Sequence, residues 1–236
     1  MGALFGSVAY AFQQKLEGDA LVSHIHYEAA KRSHPWINEI AEEPGSQLAG
    51  PPKGDTNPPL AQGRVLTAEA LMKADHPFLE DDHMFSAFVG KGIVDDLHGF
   101  YNPRDKTFKT IVSLGREVCG FPRVVHGGLT AAIIDESFGG LLFALKQQKA
   151  LNFWGPAYTV SLEVQYKSKI AAGSTVLCVT EVEKAEGRKL WMKATVCDGP
   201  GGKVFATARA LFVAPKPQKM VRDVAQYLFN RAFPRD

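Results

Sequence analysis

One segment of the chain, residues 121–145, combines residue types and spacing that suit acyl-transfer chemistry. His126 is followed by Gly127 and Gly128 at the start of an apolar run, and Asp135 interrupts that run seven residues after the second glycine. Peptide N–H groups at the start of a helix stabilise negative charge, as on the oxyanion that develops in acyl transfer. A carboxylate in apolar surroundings is costly unless the site uses or pairs it. The spacing therefore predicts an oxyanion site and a carboxylate that activates water or attacks the carbonyl.

The element that positions these residues is a predicted helix over residues 128–147, whose apolar residues recur at helical spacing almost all round. Such a helix is buried. Gly139 and Gly140 each lower its intrinsic stability by up to about 1 kcal/mol relative to alanine. The pair therefore predicts a close approach of a sheet.

Alternation of apolar and polar residues predicts strands around this helix. The alternating segments are 107–114, 157–167, 175–184, 189–197 and 203–213. In the second segment, the alternation places Leu162 and Tyr166 on one face and Thr159 on the other. One helix followed by an antiparallel meander predicts an α+β domain in which a curved antiparallel sheet wraps around a central helix.

Composition divides the chain into three parts. Residues 1–66 form an N-terminal extension that ends in a linker rich in Pro and Gly at 44–63. Residues 67–214 form the domain, beginning with a short helix over 67–75. Residues 215–236 form a tail that suits a terminal helix.

Charge and cysteine content exclude several classes of function. The net charge is +2, and no stripe of Lys and Arg interleaved with aromatic residues predicts nucleic-acid binding. Three cysteines without C-x-x-C spacing fit a reducing compartment, and no His or Cys spacing predicts a metal site. No apolar run reaches the roughly 18 residues that cross a bilayer, so no transmembrane segment is expected. No cofactor is predicted.

The order of strand, His-Gly-Gly, helix with Asp135 and four further strands resembles the hotdog-fold acyl-CoA thioesterases of the phenylacetyl-CoA thioesterase type. The likeness is greatest to the subgroup of thioesterase superfamily members 4 and 5, and it covers residues 75–213. The segments that carry it in order and spacing are 119–128, 159–167 and 186–190. The resemblance implies a hotdog fold and hydrolysis of an acyl-CoA to the free acid and CoA, as in fatty acid metabolism.

The resemblance also implies roles for five residues. Asp135 is the catalytic carboxylate, either as a general base towards water or as a nucleophile. Gly127, alone or with Gly128, donates its peptide N–H to the thioester oxygen, and His126 supports that loop. Thr159 positions the attacking water or the carboxylate. Each residue also has a structural interpretation: a paired buried acid, a tight turn, a loop histidine and an ordinary strand residue.

Two basic residues and a set of apolar residues provide predictions about the substrate. Lys167 and Arg188 are candidates to meet a CoA phosphate, although solvated strand ends explain them equally. The apolar residues available to line an acyl tunnel are 138–145, Phe153, Trp154 and Tyr158. This set favours a medium or long acyl chain.

Helix geometry predicts an oligomer. Gly127 and Asp135 are eight residues apart, which is about 12 Å along a continuous helix. Because one thioester carbon cannot meet both, the site combines Gly127 of one subunit with Asp135 of another. We therefore expect a homodimer or a dimer of dimers, and an inactive monomer.

Two other functions are open to the sequence. One is a non-catalytic hotdog subunit of a larger assembly, with the N-terminal extension and the basic tail as docking elements. The other is a dehydratase, which is disfavoured because the histidine precedes the glycines instead of lying in the helix. The expected location is mitochondrial or cytoplasmic.

Overall fold

The computed structural model describes residues 34–48, 84–88, 93–153, 156–216, 218 and 222. The described helices are α1 (Trp36–Glu42), α2 (Met84–Phe88) and α3 (Gly127–Gln147). The described strands are β1 (Gln47–Leu48), β2 (Val94–Asn102), β3 (Thr107–Leu114), β4 (Cys119–Phe121), β5 (Val124–Val125), β6 (Tyr158–Tyr166), β7 (Thr175–Glu186), β8 (Lys189–Cys197) and β9 (Val204–Val213). The helix predicted over 67–75 and most of the predicted terminal helix lie outside the described residues.

Seven of the described strands form one antiparallel sheet in the order β1-β2-β3-β7-β8-β9-β6, and β4 pairs separately with β5. α3 lies against one face of this sheet, and its buried side chains share a single hydrophobic cluster with residues of the strands. β3 and β8 begin and end at the residues that the alternation predicts. The α+β architecture of a central helix on an antiparallel sheet is therefore confirmed.

α3 is the central element of the core. By length and composition alone it could also cross a membrane. More than half of its most apolar part is buried inside the domain, however, and apolar residues all round a helix are expected when it is enclosed by its own protein. We therefore interpret α3 as a core helix.

Gly140 marks a close approach between α3 and the sheet. A Cβ atom at Gly140 would lie 2.5 Å from Cε1 and 2.7 Å from Cζ of Phe108, a ring that is only 3% exposed. A close-packed core leaves such a ring little room to move. A Cβ atom at Gly139 would meet no described atom within 4 Å. The predicted close approach therefore explains Gly140 but not Gly139.

We expect Gly140→Ala to be less stable to unfolding than Gly139→Ala by about 2 kcal/mol, because a methyl group forced into a packed core costs roughly 1–3 kcal/mol. Both substitutions gain the same helix propensity, so their difference isolates the contact with Phe108. Urea unfolding followed by circular dichroism measures this difference. Equal stability of the two variants would mean that the Phe108 ring moves aside without cost.

Part of the N-terminal segment belongs to the domain. α1 packs on the sheet through Ile37 and Ile40, which are 0% and 3% exposed and join a second hydrophobic cluster on the face opposite α3. Glu43, after α1, forms an ion pair with Lys109 of β3 at 2.6 Å, and β1 extends the sheet. Residues 36–48 of the predicted N-terminal extension therefore pack on the sheet. Tertiary packing, which the local sequence pattern does not reveal, places them on the sheet.

Candidate active site

The first turn of α3 is capped by the side chain of His126. The peptide N–H of Gly128 donates a hydrogen bond of 2.9 Å to Nδ1 of His126, whose backbone is extended at φ −61° and ψ 130°. Because Nδ1 is the acceptor, the neutral ring carries its proton on Nε2. A Cβ atom at either Gly120 or Gly128 would lie 2.9 Å from an atom of this ring. The two glycines therefore leave the space that the capping ring needs.

The peptide N–H groups of Gly127 and Gly128 have different environments. The N–H of Gly128 is bonded to His126, so of the two candidate oxyanion donors, Gly127 alone or with Gly128, we retain Gly127. In the part of the chain that the structure describes, the Gly127 N–H has no hydrogen-bond partner. It lies at the N-terminus of a 21-residue helix, where unsatisfied N–H groups and the helix dipole favour negative charge.

Asp135 lies about two turns further along α3 and is partly buried. Its Oδ1 accepts a hydrogen bond of 2.9 Å from the hydroxyl of Thr159 on β6. Among the described residues, Asp135 forms no ion pair and has no other hydrogen-bond partner. The alternative of a carboxylate neutralised by an arginine or by backbone donors therefore has no support in these residues. Oδ2 is left to bind water or to approach a carbonyl carbon.

A β-bulge turns Thr159 towards α3. The pairing of β6 with β9 shifts register at Val160, which is an extra residue in β6. Strict alternation would place Thr159 on the face opposite Leu162, which packs into the core beneath α3. The extra residue reverses the phase, so Thr159 points to the same face as Leu162 and reaches Asp135. The alternation predicted over 157–167 is therefore wrong before the bulge.

Among the described strands, β6 forms one edge of the sheet, and it is largely exposed. It pairs with β9 on one side and stands last in the strand order. Tyr158, Val160 and Tyr166 are 58%, 63% and 55% exposed. An unprotected edge with exposed apolar side chains offers its backbone groups to another strand. β6 therefore has the properties of a pairing surface.

Within one chain, the two halves of the predicted site contact opposite ends of β6. Thr159, near the beginning of the strand, bonds to Asp135. Tyr166, the last residue, donates a hydrogen bond of 2.8 Å from its hydroxyl to the carbonyl oxygen of Gly127. Seven residues of strand span about 23 Å. The described chain therefore does not bring the Gly127 N–H and the Asp135 carboxylate to one thioester.

A cavity of about 750 Å³ lies beside the first turn of α3. Gly127, Tyr166, Lys167 and Lys169 contribute polar groups to its lining. Its apolar lining comes from Phe121, Pro122, Val124, Val125, Ile170 and Phe205. The cavity thus offers apolar surface and positive charge next to the free N–H of Gly127.

The two predicted phosphate ligands are not neighbours within the chain. Lys167 follows β6 and donates from Nζ to the side-chain oxygen of Gln165 at 2.9 Å. Arg188 lies in the turn before β8, and its guanidinium donates to the carbonyl of Ala214. β8 and β6 both begin opposite Val213, so Arg188 lies at the end of the sheet remote from Lys167. Within the described ranges, no group of three or more His, Cys, Asp or Glu side chains could hold a metal ion.

The residues predicted to line an acyl tunnel lie in different parts of the fold. Phe138 and Leu141 are 0% exposed and fill the core between α3 and the sheet. Tyr158 precedes Thr159 and therefore points away from α3. Trp154 lies outside the described residues. Phe138 and Leu141 therefore pack in the core, and a tunnel lined by the other residues of this set stays a prediction.

Comparison with known families matches residues 123–205 to the thioesterase superfamily. The match covers about a third of the chain. The matched residues include α3 and β6, and hence Gly127, Asp135 and Thr159. Together with the antiparallel sheet around one helix, this match gives the fold as the hotdog fold.

The chain is also similar to curated proteins and solved structures. The acyl-coenzyme A thioesterase THEM4 of Mus musculus is 29% identical over 161 residues, which cover 66% of each chain. The uncharacterized mitochondrial membrane protein FMP10 of Saccharomyces cerevisiae is 27% identical over 51% of this chain and 49% of its own length. Thioesterase superfamily member 2 from Mus musculus superposes with a TM-score of 0.38 at 17% identity, over 44% of this chain and 72% of the other. The chain spans less than two thirds of the length of these curated relatives.

Proposed function

We propose that the chain is an acyl-CoA thioesterase, which hydrolyses an acyl-CoA to the free acid and CoA. The observation that carries this proposal is the bond from Thr159 to Asp135, which orients a carboxylate that no described cation neutralises. The free N–H of Gly127 at the start of the same helix supplies the second component, an oxyanion donor. The acyl-coenzyme A thioesterase THEM4 is a relative over this region, which supports the substrate class.

Two routes are compatible with these groups. In the first, Asp135 takes a proton from water as the water oxygen attacks the thioester carbon, and the carbonyl oxygen becomes an oxyanion bonded to the Gly127 N–H. The carbon–sulfur bond then breaks, and the CoA sulfur leaves with the proton that Asp135 had taken from water. In the second, a carboxylate oxygen of Asp135 attacks the carbon and expels the CoA thiolate, and water hydrolyses the resulting anhydride.

We propose that two copies pair through the exposed edges of β6 to complete the site. In an antiparallel pair centred near Leu162, the beginning of β6 in one copy lies beside the end of β6 in the other. The Asp135 bonded to Thr159 then faces the Gly127 that Tyr166 of the second copy holds. Each dimer has two such sites. The same pairing brings Lys167 of one copy to the end of the sheet where Arg188 of the other lies, so both remain candidates to meet CoA phosphates.

We propose a medium- or long-chain acyl group as the preferred substrate. The cavity of about 750 Å³ beside Gly127 has six apolar side chains in its lining, which suits an extended hydrocarbon better than a small polar acyl group. Hydrolysis rates for acyl-CoAs of 2 to about 18 carbons test this preference. Each methylene group that the cavity buries is expected to contribute about 0.8 kcal/mol to binding. Fastest hydrolysis of a short or polar acyl-CoA would contradict it.

The proposed activity is tested with purified protein, acyl-CoAs of several lengths and a thiol reagent that reports free CoA. We expect release of one thiol per acyl-CoA, with the acid as the other product. Thiol release from the same acyl groups attached to acyl carrier protein shows which of the two carriers the protein prefers. An intact dimer that releases no thiol from any substrate would overturn the enzymatic proposal and favour a structural subunit of a larger assembly.

We propose a mitochondrial location. The support is the relative FMP10, which is described as a mitochondrial membrane protein. Fractionation of cells that express the full chain with a C-terminal tag tests the location against a cytosolic marker. Recovery of the tagged chain with the cytosolic marker would contradict it.

A further inference from the structure

The first peptide group of α3, between Gly127 and Gly128, is held at both ends by side chains. Its carbonyl oxygen accepts a hydrogen bond of 2.8 Å from the hydroxyl of Tyr166, and its N–H donates one of 2.9 Å to Nδ1 of His126. The preceding peptide is also fixed, because the carbonyl of His126 accepts from the N–H groups of Leu129 and Thr130 at 3.0 Å and 3.2 Å. Both peptides that flank the Cα atom of Gly127 therefore have defined orientations.

A glycine needs such restraints more than other residues do. Without a Cβ atom, Gly127 has a wide choice of φ and ψ, and its position at the end of a helix leaves its N–H outside the helical hydrogen bonds. The ring of Tyr166 also lies over this residue: a Cβ atom at Gly127 would be 3.4 Å from Cζ and from the hydroxyl oxygen of Tyr166. The tyrosine therefore restrains Gly127 by ring contact and by a directed hydrogen bond.

We infer that Tyr166 is a positioning residue for the oxyanion donor, an inference that rests on the proposed thioesterase function. Its hydroxyl fixes the carbonyl of Gly127, which limits rotation about the Gly127 backbone and so restrains the N–H of a residue that lines the same cavity as Tyr166. An oxyanion donor is effective when it is already oriented before charge develops, because no reorganisation is then needed during the reaction. Tyr166 acts through Gly127 on the carbonyl oxygen and is not required to touch the reacting atoms.

The position of Tyr166 at the end of β6 also links this restraint to the sheet edge. β6 is the strand through which we propose that two copies pair, so the side chain that orients Gly127 in one copy lies beside the Thr159 end of β6 in the other. A single strand thus holds the carboxylate at its beginning through Thr159 and the oxyanion donor at its end through Tyr166. Pairing of two such strands sets the distance between the two groups.

Tyr166→Phe tests the inference, because it removes the hydroxyl and keeps the ring against Gly127. We expect kcat to fall about five- to tenfold, the effect of losing one hydrogen bond that matters in the transition state, with KM nearly unchanged. The matched control is Tyr101→Phe, which removes a tyrosine hydroxyl from β2, a strand that four other strands separate from β6 in the sheet. We expect this control to keep the wild-type kcat and KM.

Two non-hydrolysable ligands separate orientation of the carbonyl from general binding. One is an acyl-CoA analogue with a methylene group in place of sulfur, which keeps the carbonyl as a ketone. The other is an S-alkyl-CoA, which has no carbonyl. We expect Tyr166→Phe to bind the ketone several-fold more weakly than wild type and the S-alkyl-CoA equally well. A purely structural role would weaken both ligands alike.

The outcomes distinguish this inference from the proposed function. Wild-type hydrolysis together with an unchanged kcat in Tyr166→Phe would overturn the inference alone, and so would equal weakening of both analogues. Absence of hydrolysis by the wild-type protein would overturn the proposed function and the inference with it. A selective loss of kcat and of ketone binding in Tyr166→Phe would support both.

Discussion

Asp135→Asn is expected to lower kcat for acyl-CoA hydrolysis by about a thousandfold, within the range that a positioned general base contributes. The amide has nearly the same shape as the carboxylate, and its oxygen can still accept the hydrogen bond from Thr159. It cannot take a proton from water at neutral pH, and it is a poor nucleophile. The same loss is therefore expected whether Asp135 acts as a base or by direct attack. Thiol release from a saturating acyl-CoA measures it.

The control for this substitution is Asp105→Asn, which makes the same change of charge at an exposed residue in the turn between β2 and β3. We expect the control to hydrolyse acyl-CoA at the wild-type rate. Circular dichroism and the elution volume of both variants check that fold and oligomeric state are kept. Equal activity of Asp135→Asn and wild type would remove Asp135 from the mechanism.

The local sequence predicts much of the fold because α3 and several strands are strongly periodic. The predicted helix over 128–147 differs from α3 by one residue at its beginning, since a cap is determined by a side-chain contact and not by periodicity. The packing of α1 on the sheet was not predicted. Ile37 and Ile40 are too few to form a pattern, and the residues they contact lie far along the chain.

The resemblance implies that Thr159 positions the carboxylate, but the sequence does not show how β6 turns this residue towards α3. A bulge at Val160 decides the direction of Thr159, and a one-residue insertion leaves little trace in a strand of mixed residues. The hydrogen bond from Gly128 to His126 joins residues two positions apart, and a histidine that precedes a helix can act as its cap. This contact is therefore predictable from the sequence. The bond from Tyr166 to Gly127 joins residues 39 positions apart, and only the fold brings them together.

Gly127→Pro is the second substitution with a large expected effect, because it deletes a single N–H group. Proline is favoured at the first position of a helix, and the extended backbone of His126 suits a residue that precedes proline. The N–H that is lost has no partner among the described residues, so α3 keeps its hydrogen bonds. We expect kcat to fall by about 10²–10³-fold, as for other oxyanion donors.

The matched control is Gly127→Ala, which keeps the N–H. Its Cβ atom would lie 3.4 Å from the ring of Tyr166, an ordinary contact distance, so the methyl group fits without displacing the ring. We expect Gly127→Ala to keep most of the wild-type kcat. If alanine and proline at this position reduce kcat equally, the steric change and not the N–H is responsible, and the oxyanion assignment is lost.

Mixed dimers of Gly127→Pro and Asp135→Asn decide whether the site is shared between subunits. In a shared site, a mixed dimer combines both defects in one site and leaves the other site with an intact glycine and an intact aspartate. Co-expression with two different affinity tags isolates the mixed dimer, and we expect it to have about half of the wild-type activity, because one of its two symmetric sites is intact. If each site lies within one chain, every site of the mixed dimer is defective, and its activity stays at the level of the parent variants. Recovery of activity from two inactive parents therefore depends on Gly127 and Asp135 meeting across the paired β6 strands.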